Sequence, residues 1–176
     1  KRPIFSTINC VVAPLTFEKD SVEAVIELAR AGVPIFPMTM VLSATTAPAT
    51  MAGTLALATA EELACFVIVE CANPGAPVFW SSEASPANMK TGEIHYSAPE
   101  FTLLSAASAQ MARFYKIPNE ASDLSLEEVP TNLLSFERNV VRAAMGLMTR
   151  TDISAWLGSR DLVLSASLEQ EILDAE

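Results

Sequence analysis

Several things are scarce in this sequence, and each shortage excludes something. One histidine, His95, and three cysteines, Cys10, Cys65 and Cys71, are all the His and Cys in 176 residues. A zinc site gathers three or four His, Cys or carboxylate ligands, so this scattered set predicts no metal centre. The cysteine number is odd and no pair has C-x-x-C spacing. That predicts reduced thiols in a cytoplasmic protein, not a disulfide framework. Only six glycines are present, and none belongs to a G-x-G-x-x-G or P-loop pattern, so no phosphate cradle is encoded. There is no G-x-S-x-G and no defensible Ser/His/Asp arrangement. Basic residues are few: eleven Lys and Arg stand against 21 Asp and Glu, for a net charge of −10. That sign argues against nucleic acid and against anionic membrane surfaces. The longest apolar stretch, Met51–Cys71, carries Glu61, Glu62 and Glu70, so it reads as a buried helix and not a membrane span. Lys1-Arg2 is not followed by the apolar core of a secretory leader.

What remains is 51% hydrophobic and has eleven prolines, which predicts one globular domain over residues 1–176. The chain is organised around Pro37–Gly92. Val33–Met40 is about one strand long. Ser43, Thr45 and Thr46 offer capping hydroxyls, and Pro48 suits a first helical turn. A helix then runs to Cys71 and stops at Asn73-Pro74-Gly75. Its first half is rich in Ala and Gly, which permits close packing. Ala76–Trp80 is a second strand and Ser81–Gly92 a polar loop. Strand, crossover helix and strand form a right-handed βαβ unit with parallel strands. Ligands in such folds sit at the carboxyl ends of strands, which places Thr39–Thr46 and Ser81–Gly92 on one rim.

Around this unit, Arg2–Val12 reads as a strand and Ser21–Ala31 as an amphipathic helix ended by Gly32. Ser97 caps a helix with Pro99 in its first turn, running to about Tyr115. A short strand in Ile117–Leu124, a helix from Thr131 or Asn132 to Met148, and a strand at Ile153–Leu157 follow. Leu162–Ser165 is a loop or short strand, and Leu168–Glu176 a last helix capped by Ser167.

The words TAPATMAG, AEELA, NPGAPV, SPANMKTG, SAPE and FYKIP occur in this order. In them the chain resembles the trimethylamine methyltransferase family of corrinoid-dependent enzymes, which includes relatives acting on glycine betaine. The resemblance implies an α/β fold, the C-terminal part of a TIM (β/α)8 barrel. A whole barrel usually needs ~250 residues, so this chain would hold about five βα units. Its start at Lys1 without a methionine favours a piece of a longer protein. Unpaired sheet edges would then favour a homo-oligomer.

The resemblance also implies the chemistry: a methyl group passes from a methylated amine to the Co(I) corrinoid of a cognate partner protein. Cobalt is the nucleophile, so no catalytic side chain is assigned and no cofactor is expected to be tightly bound. The barrel must hold the cation and align the methyl group. A quaternary ammonium donates no N–H bond, and aromatic faces and carboxylates recognise it. Trp80, Glu83 and Tyr96 on the rim, with Phe36 and Trp156 on other strands, are the candidates. Each also has an ordinary explanation, as a core aromatic or a solvated loop carboxylate. Phe79 and Trp80 point to opposite faces, and Trp80, which borders the polar loop, is expected to face the lumen. Trimethylamine enzymes of the family are expected to carry pyrrolysine after the FYKIP-like word, where Asn119–Thr131 has ordinary residues. That shifts the reading toward a quaternary amine such as a betaine. A non-catalytic partial barrel, or a cation-binding protein without cobalt chemistry, is the alternative.

Overall fold

A computed structural model describes residues 4–121, 133–160 and 165–175. The expected central unit is there. Strands β1 (Thr7–Val11) and β2 (Ile35–Thr39) pair in parallel around helix α1 (Lys19–Arg30). After the two-residue strand β3 (Leu42–Ser43), helix α2 (Met51–Ala72) crosses to β4 (Trp80–Ser82), which pairs in parallel with β2. β5 (Ser85–Pro86) lies parallel to β3, so the two rim stretches do meet. Helix α3 (Pro99–Tyr115) leads to β6 (Asn119–Ala121), and α4 (Leu133–Thr149) to β7 (Ile153–Ser154). The main sheet has the order β1-β2-β4-β6-β7 with every pairing parallel. β8 (Ser159–Arg160) and β9 (Ser165–Ala166) form a small antiparallel pair before α5 (Leu168–Ala175). This α/β arrangement is consistent with a partial barrel.

Boundaries moved where tertiary pairing outweighed local pattern. The regular second strand is Trp80–Ser82; the expected Ala76–Trp80 keeps only an isolated parallel bridge of Val78 to Ile35 before it, and Pro77 has no N–H to extend that pairing further back. Ser81 and Ser82, read as loop, are strand. α2 is capped by Thr50, whose hydroxyl accepts from the Gly53 N–H at 3.2 Å, and Pro48 lies outside the helix. Thr46 instead accepts from the Leu42 N–H at 2.9 Å and closes the preceding turn. Ala98 replaces Ser97 at the start of α3, with Pro99 in its first turn as expected. Gly32 does end α1, at a positive φ of 75° that glycine adopts without strain.

The long helices line up in sequence order, α1 against α2, α2 against α3 and α3 against α4, with α1, α2 and α3 packed on one face of the sheet. Val25 and Ala29 of α1, Ile35 of β2, and Cys65 and Val69 of α2 form one buried cluster there. Among the described residues, no helix is long and apolar enough to cross a membrane. The segment from Ser122 to Asn132, which includes most of the expected pyrrolysine-equivalent stretch, lies outside the described residues.

Candidate functional site

Strand parity decides which side chains share a face. Ile35 packs on α1 and α2, so Phe36 and Met38 turn to the opposite, inner face of the sheet. Asn9 reaches Ser21 of α1 at 2.7 Å, so Ile8, Cys10 and Val12 also turn inward. The ladder register aligns Cys10, Met38, Ser81, Glu120 and Ile153 in one row across the five strands. One row below, Phe36 stacks on Phe79, with ring centroids 4.3 Å apart and planes 5° from parallel.

The polar groups of this face are buried and bonded. The Ser81 hydroxyl donates to Glu120 Oε2 at 2.6 Å. The Tyr96 hydroxyl, brought in by the loop between β5 and α3, donates to Glu83 Oε2 at 2.9 Å. Glu83 sits close enough to Cys10 that its charge, after burial, helps push the Cys10 thiol up. Tyr96 is fixed from behind. Its ring meets Phe101 edge-on at 5.2 Å, Trp156 packs against the pair, and its carbonyl accepts from Arg142 of α4. Arg142 in turn lies over the Phe101 ring, 5.2 Å from its centroid. Burial foremost, then the charge and hydrogen bond of Glu83, hold the Tyr96 phenol well above its usual range, with Arg142 opposing. Tyr96 is therefore a neutral donor at ordinary pH.

The structure brings together Glu83, Tyr96 and Trp156, and puts Phe36 on the same inner face. Trp80 is the correction. Its ring points into the helical layer, 5.8 Å from Phe66 and stacked on Tyr115 at 5.5 Å, and its Nε1–H donates to the Ser108 hydroxyl at 2.8 Å. An indole needs a partner for its N–H, and α3 supplies one. Phe79, one residue earlier, takes the inner position. Phe79, Ser81, Glu120 and Arg142 were not among the expected residues. Once Ile35 is known to face the helices, the alternation of β2 and its parallel register with β4 point to Phe79 and Ser81. Nothing in the sequence marks Arg142.

On the rim, a cleft of about 550 Å³ opens between the first turns of α2 and α3, lined by Ser43, Met51, Pro86, His95, Ser97 and Glu100 among others. Among the described residues no group of three or more His, Cys, Asp or Glu is placed to hold a metal ion.

Comparison with known proteins now bears on this geometry. The family model described as trimethylamine methyltransferase (MTTB) matches residues 1–176. The chain is 30% identical over 175 residues to trimethylamine methyltransferase MttB of Methanosarcina thermophila, covering 99% of this chain and 36% of that protein. It is 28% identical over 177 residues to glycine betaine methyltransferase of Desulfitobacterium hafniense (strain Y51), covering 100% of this chain and 37% of that protein. It is 34% identical over 119 residues to an MttB protein of Desulfitobacterium hafniense (strain DSM 10664 / DCB-2), covering 68% of this chain. The chain spans little more than a third of the length of the curated relatives it matches. It belongs to the trimethylamine methyltransferase family.

Proposed function

We propose that this family member contributes the amine site of a methyltransferase that moves a methyl group from a quaternary or tertiary methylamine, such as a betaine, to the corrinoid of a partner protein. The observation that carries the reading is the inner face: a stacked Phe36–Phe79 pair with two buried carboxyls beyond it, Glu120 one row on and Glu83 a row further. Aromatic faces and carboxylates together suit a cation that cannot donate a hydrogen bond. Membership in a family whose named relatives act on trimethylamine and glycine betaine supports the same substrate class.

The architecture supports the reading as well. Five parallel strands in sequential order, with α1, α2 and α3 packed on one face, fit an arc of a (β/α)8 barrel, and the inner face is then its lumen. Ile8 and Val12, which β1 leaves half exposed, face inward and form the surface that further strands would close over. An isolated chain is expected to associate through that edge.

The partner's corrinoid supplies the Co(I) nucleophile that accepts the methyl group. The donors of this chain fit a visiting corrinoid better than a resident one, since His95, the one imidazole, is exposed on the rim. The chain's own residues then do three things. The Phe pair and the carboxyls hold the ammonium; Tyr96 and Ser81 fix those carboxyls; and the packed wall keeps water from the cation. The bonding pair stays with nitrogen as the methyl group departs, so a quaternary substrate leaves as a neutral tertiary amine and needs no proton. The expected setting is cytoplasmic.

Calorimetric titration of the complete polypeptide with glycine betaine tests the site. Adding the reduced corrinoid protein and following the loss of Co(I) absorbance tests the reaction. Saturable binding that Phe79→Ala weakens, together with amine-dependent Co(I) consumption, is expected. Binding without consumption would make this a cation-binding protein, and no binding at all would leave a non-catalytic wall.

A further inference from the structure

We infer that Glu62 is a positioning residue: it fixes Ser81, and through Ser81 it sets the Glu120 carboxyl on the inner face. The inference rests on reading that face as the amine site. Glu62 belongs to α2, on the opposite side of the sheet, and is fully buried. Its Oε1 accepts from the Ser81 backbone N–H at 3.2 Å. The Ser81 side chain leaves the other face of the strand and donates to Glu120 Oε2 at 2.6 Å. One residue thus ties a helix carboxyl to an inner-face carboxyl across the thickness of the sheet. β4 is only three residues long, so Ser81 has a short ladder to hold it, and a side-chain anchor matters more there.

The second oxygen of Glu62, Oε2, is buried with no hydrogen-bond partner. An unpaired buried oxygen is costly; leucine would remove it but would leave the buried Ser81 N–H without its acceptor. The role of the carboxyl is the bond to Ser81, which packing alone could not supply. Its surroundings also decide its form. Glu61 precedes it on α2, Cys65 follows one turn later, and Glu120 lies across the sheet. Burial first, then the charges of Glu120 and Glu61, hold the Glu62 carboxyl well above the usual range, against the hydrogen bond from the Ser81 N–H. A neutral acid anchors Ser81 without adding negative charge beneath the inner face. Glutamine has the same shape and the same acceptor, so it is the conservative replacement.

The test uses the complete polypeptide with ¹³C-carboxyl-labelled glutamate at neutral pH, and glycine betaine as the ligand probe. Glu62→Leu and Ser81→Ala are expected to move the Glu120 carboxyl resonance in the same direction and to weaken glycine betaine roughly tenfold, about 1.4 kcal/mol. Glu62→Gln should leave the resonance in place and keep affinity within about twofold. A residue that merely packs would lower Tm without moving that resonance, and glutamine would not restore it. An unmoved Glu120 resonance in folded Glu62→Leu overturns the inference. If Glu62→Leu does not fold, Glu62→Asp withdraws the carboxyl by one methylene and the same resonance decides. If the wild type binds no glycine betaine, the amine reading fails, while the Glu120 resonance, which needs no ligand, still upholds or overturns the positioning role.

Discussion

The two faces of the sheet use the same residue types for opposite ends. Each carries large aromatics beside buried carboxyls. On the helix face, Trp80 is closed in by Phe66, Tyr115 and the Ser108 hydroxyl, and Glu61 and Glu62 are fully buried. On the inner face, Phe36 and Phe79 stack without any polar handle, and the flanking carboxyls are held by the hydroxyls of Tyr96 and Ser81. The helix face satisfies its aromatics with protein. The inner face presents a π surface and oriented acceptors next to Ile8, Cys10 and Val12, which remain exposed. What distinguishes core from site is therefore the neighbour of each ring, and strand parity assigns that neighbour.

The sharpest way to break the comparison is to truncate one ring on each face. Trp80→Ala removes a fully buried indole and strands the Ser108 hydroxyl. The expected cost is about 3–5 kcal/mol of stability, as for other buried aromatics, or roughly ten degrees in Tm for a chain of this size. The folded fraction should bind glycine betaine normally. Phe79→Ala removes a half-buried ring of the inner face. It should cost less stability but weaken glycine betaine by roughly tenfold, the scale of one partly desolvated cation–π contact. Melting curves and calorimetric titrations on both variants check this. If Trp80→Ala loses affinity while Phe79→Ala keeps it, the two faces have been assigned the wrong way round.

A smaller effect separates the buried carboxyls. Glu62 titrates well above its usual range because burial disfavours its charge. The folded state then holds a proton that the unfolded state has released, so stability is full below the ordinary glutamate range and falls as pH rises from there toward the folded value. Glu62→Gln carries no such proton. Its Tm relative to wild type should therefore rise as pH is raised from 4 to 8. Glu61, also raised by burial, adds wild-type pH dependence that both proteins share. A Tm difference that stays constant over this pH range would show that Glu62 is charged in the fold.

The strand–helix–strand core was legible in the sequence because its signals are local: an apolar run, a long helical stretch and the Asn73-Pro74-Gly75 stop. The joining of the two rim stretches followed from the parallel topology. The family was legible from ordered words, but words do not show which way a ring points. Trp80 and Phe79 are neighbours, and choosing between them needs the register of β4, which the bordering polar loop misrepresented because Ser81 and Ser82 are themselves strand. Tyr96 and Glu83 were named singly, and their 2.9 Å bond depends on a loop closing over the sheet. In the sequence Glu62 counts only as one of the acids that argue against a membrane span. Only the fold shows it beneath Ser81.

The smallest expected effect is chemical, and it needs no loss of stability. The three cysteines sample both faces and the outside: Cys65 is buried on the helix face, Cys10 is exposed on the inner face, and Cys71 is exposed at the end of α2. The thiolate is the reactive form. Burial, with a contribution from Glu62, pushes Cys65 up to about 12. At pH 8 that leaves on the order of one thiolate in 10⁴, before restricted access is considered. Cys10 is also raised, by burial and by Glu83, but a reagent can reach it. A thiol reagent should therefore modify Cys71 and Cys10 in the native protein, with Cys65 reacting only on unfolding. Mass mapping of the labelled peptides checks the order, and labelling of Cys65 at the rate of Cys71 would show that the helix face is not sealed. In the complete polypeptide the comparison sharpens further. Cys10 shares its row with Ser81 and Glu120, so glycine betaine should slow labelling at Cys10 and leave Cys71 unchanged. Equal rates at Cys10 with and without ligand would move the amine away from this row and toward the Phe36–Phe79 pair alone.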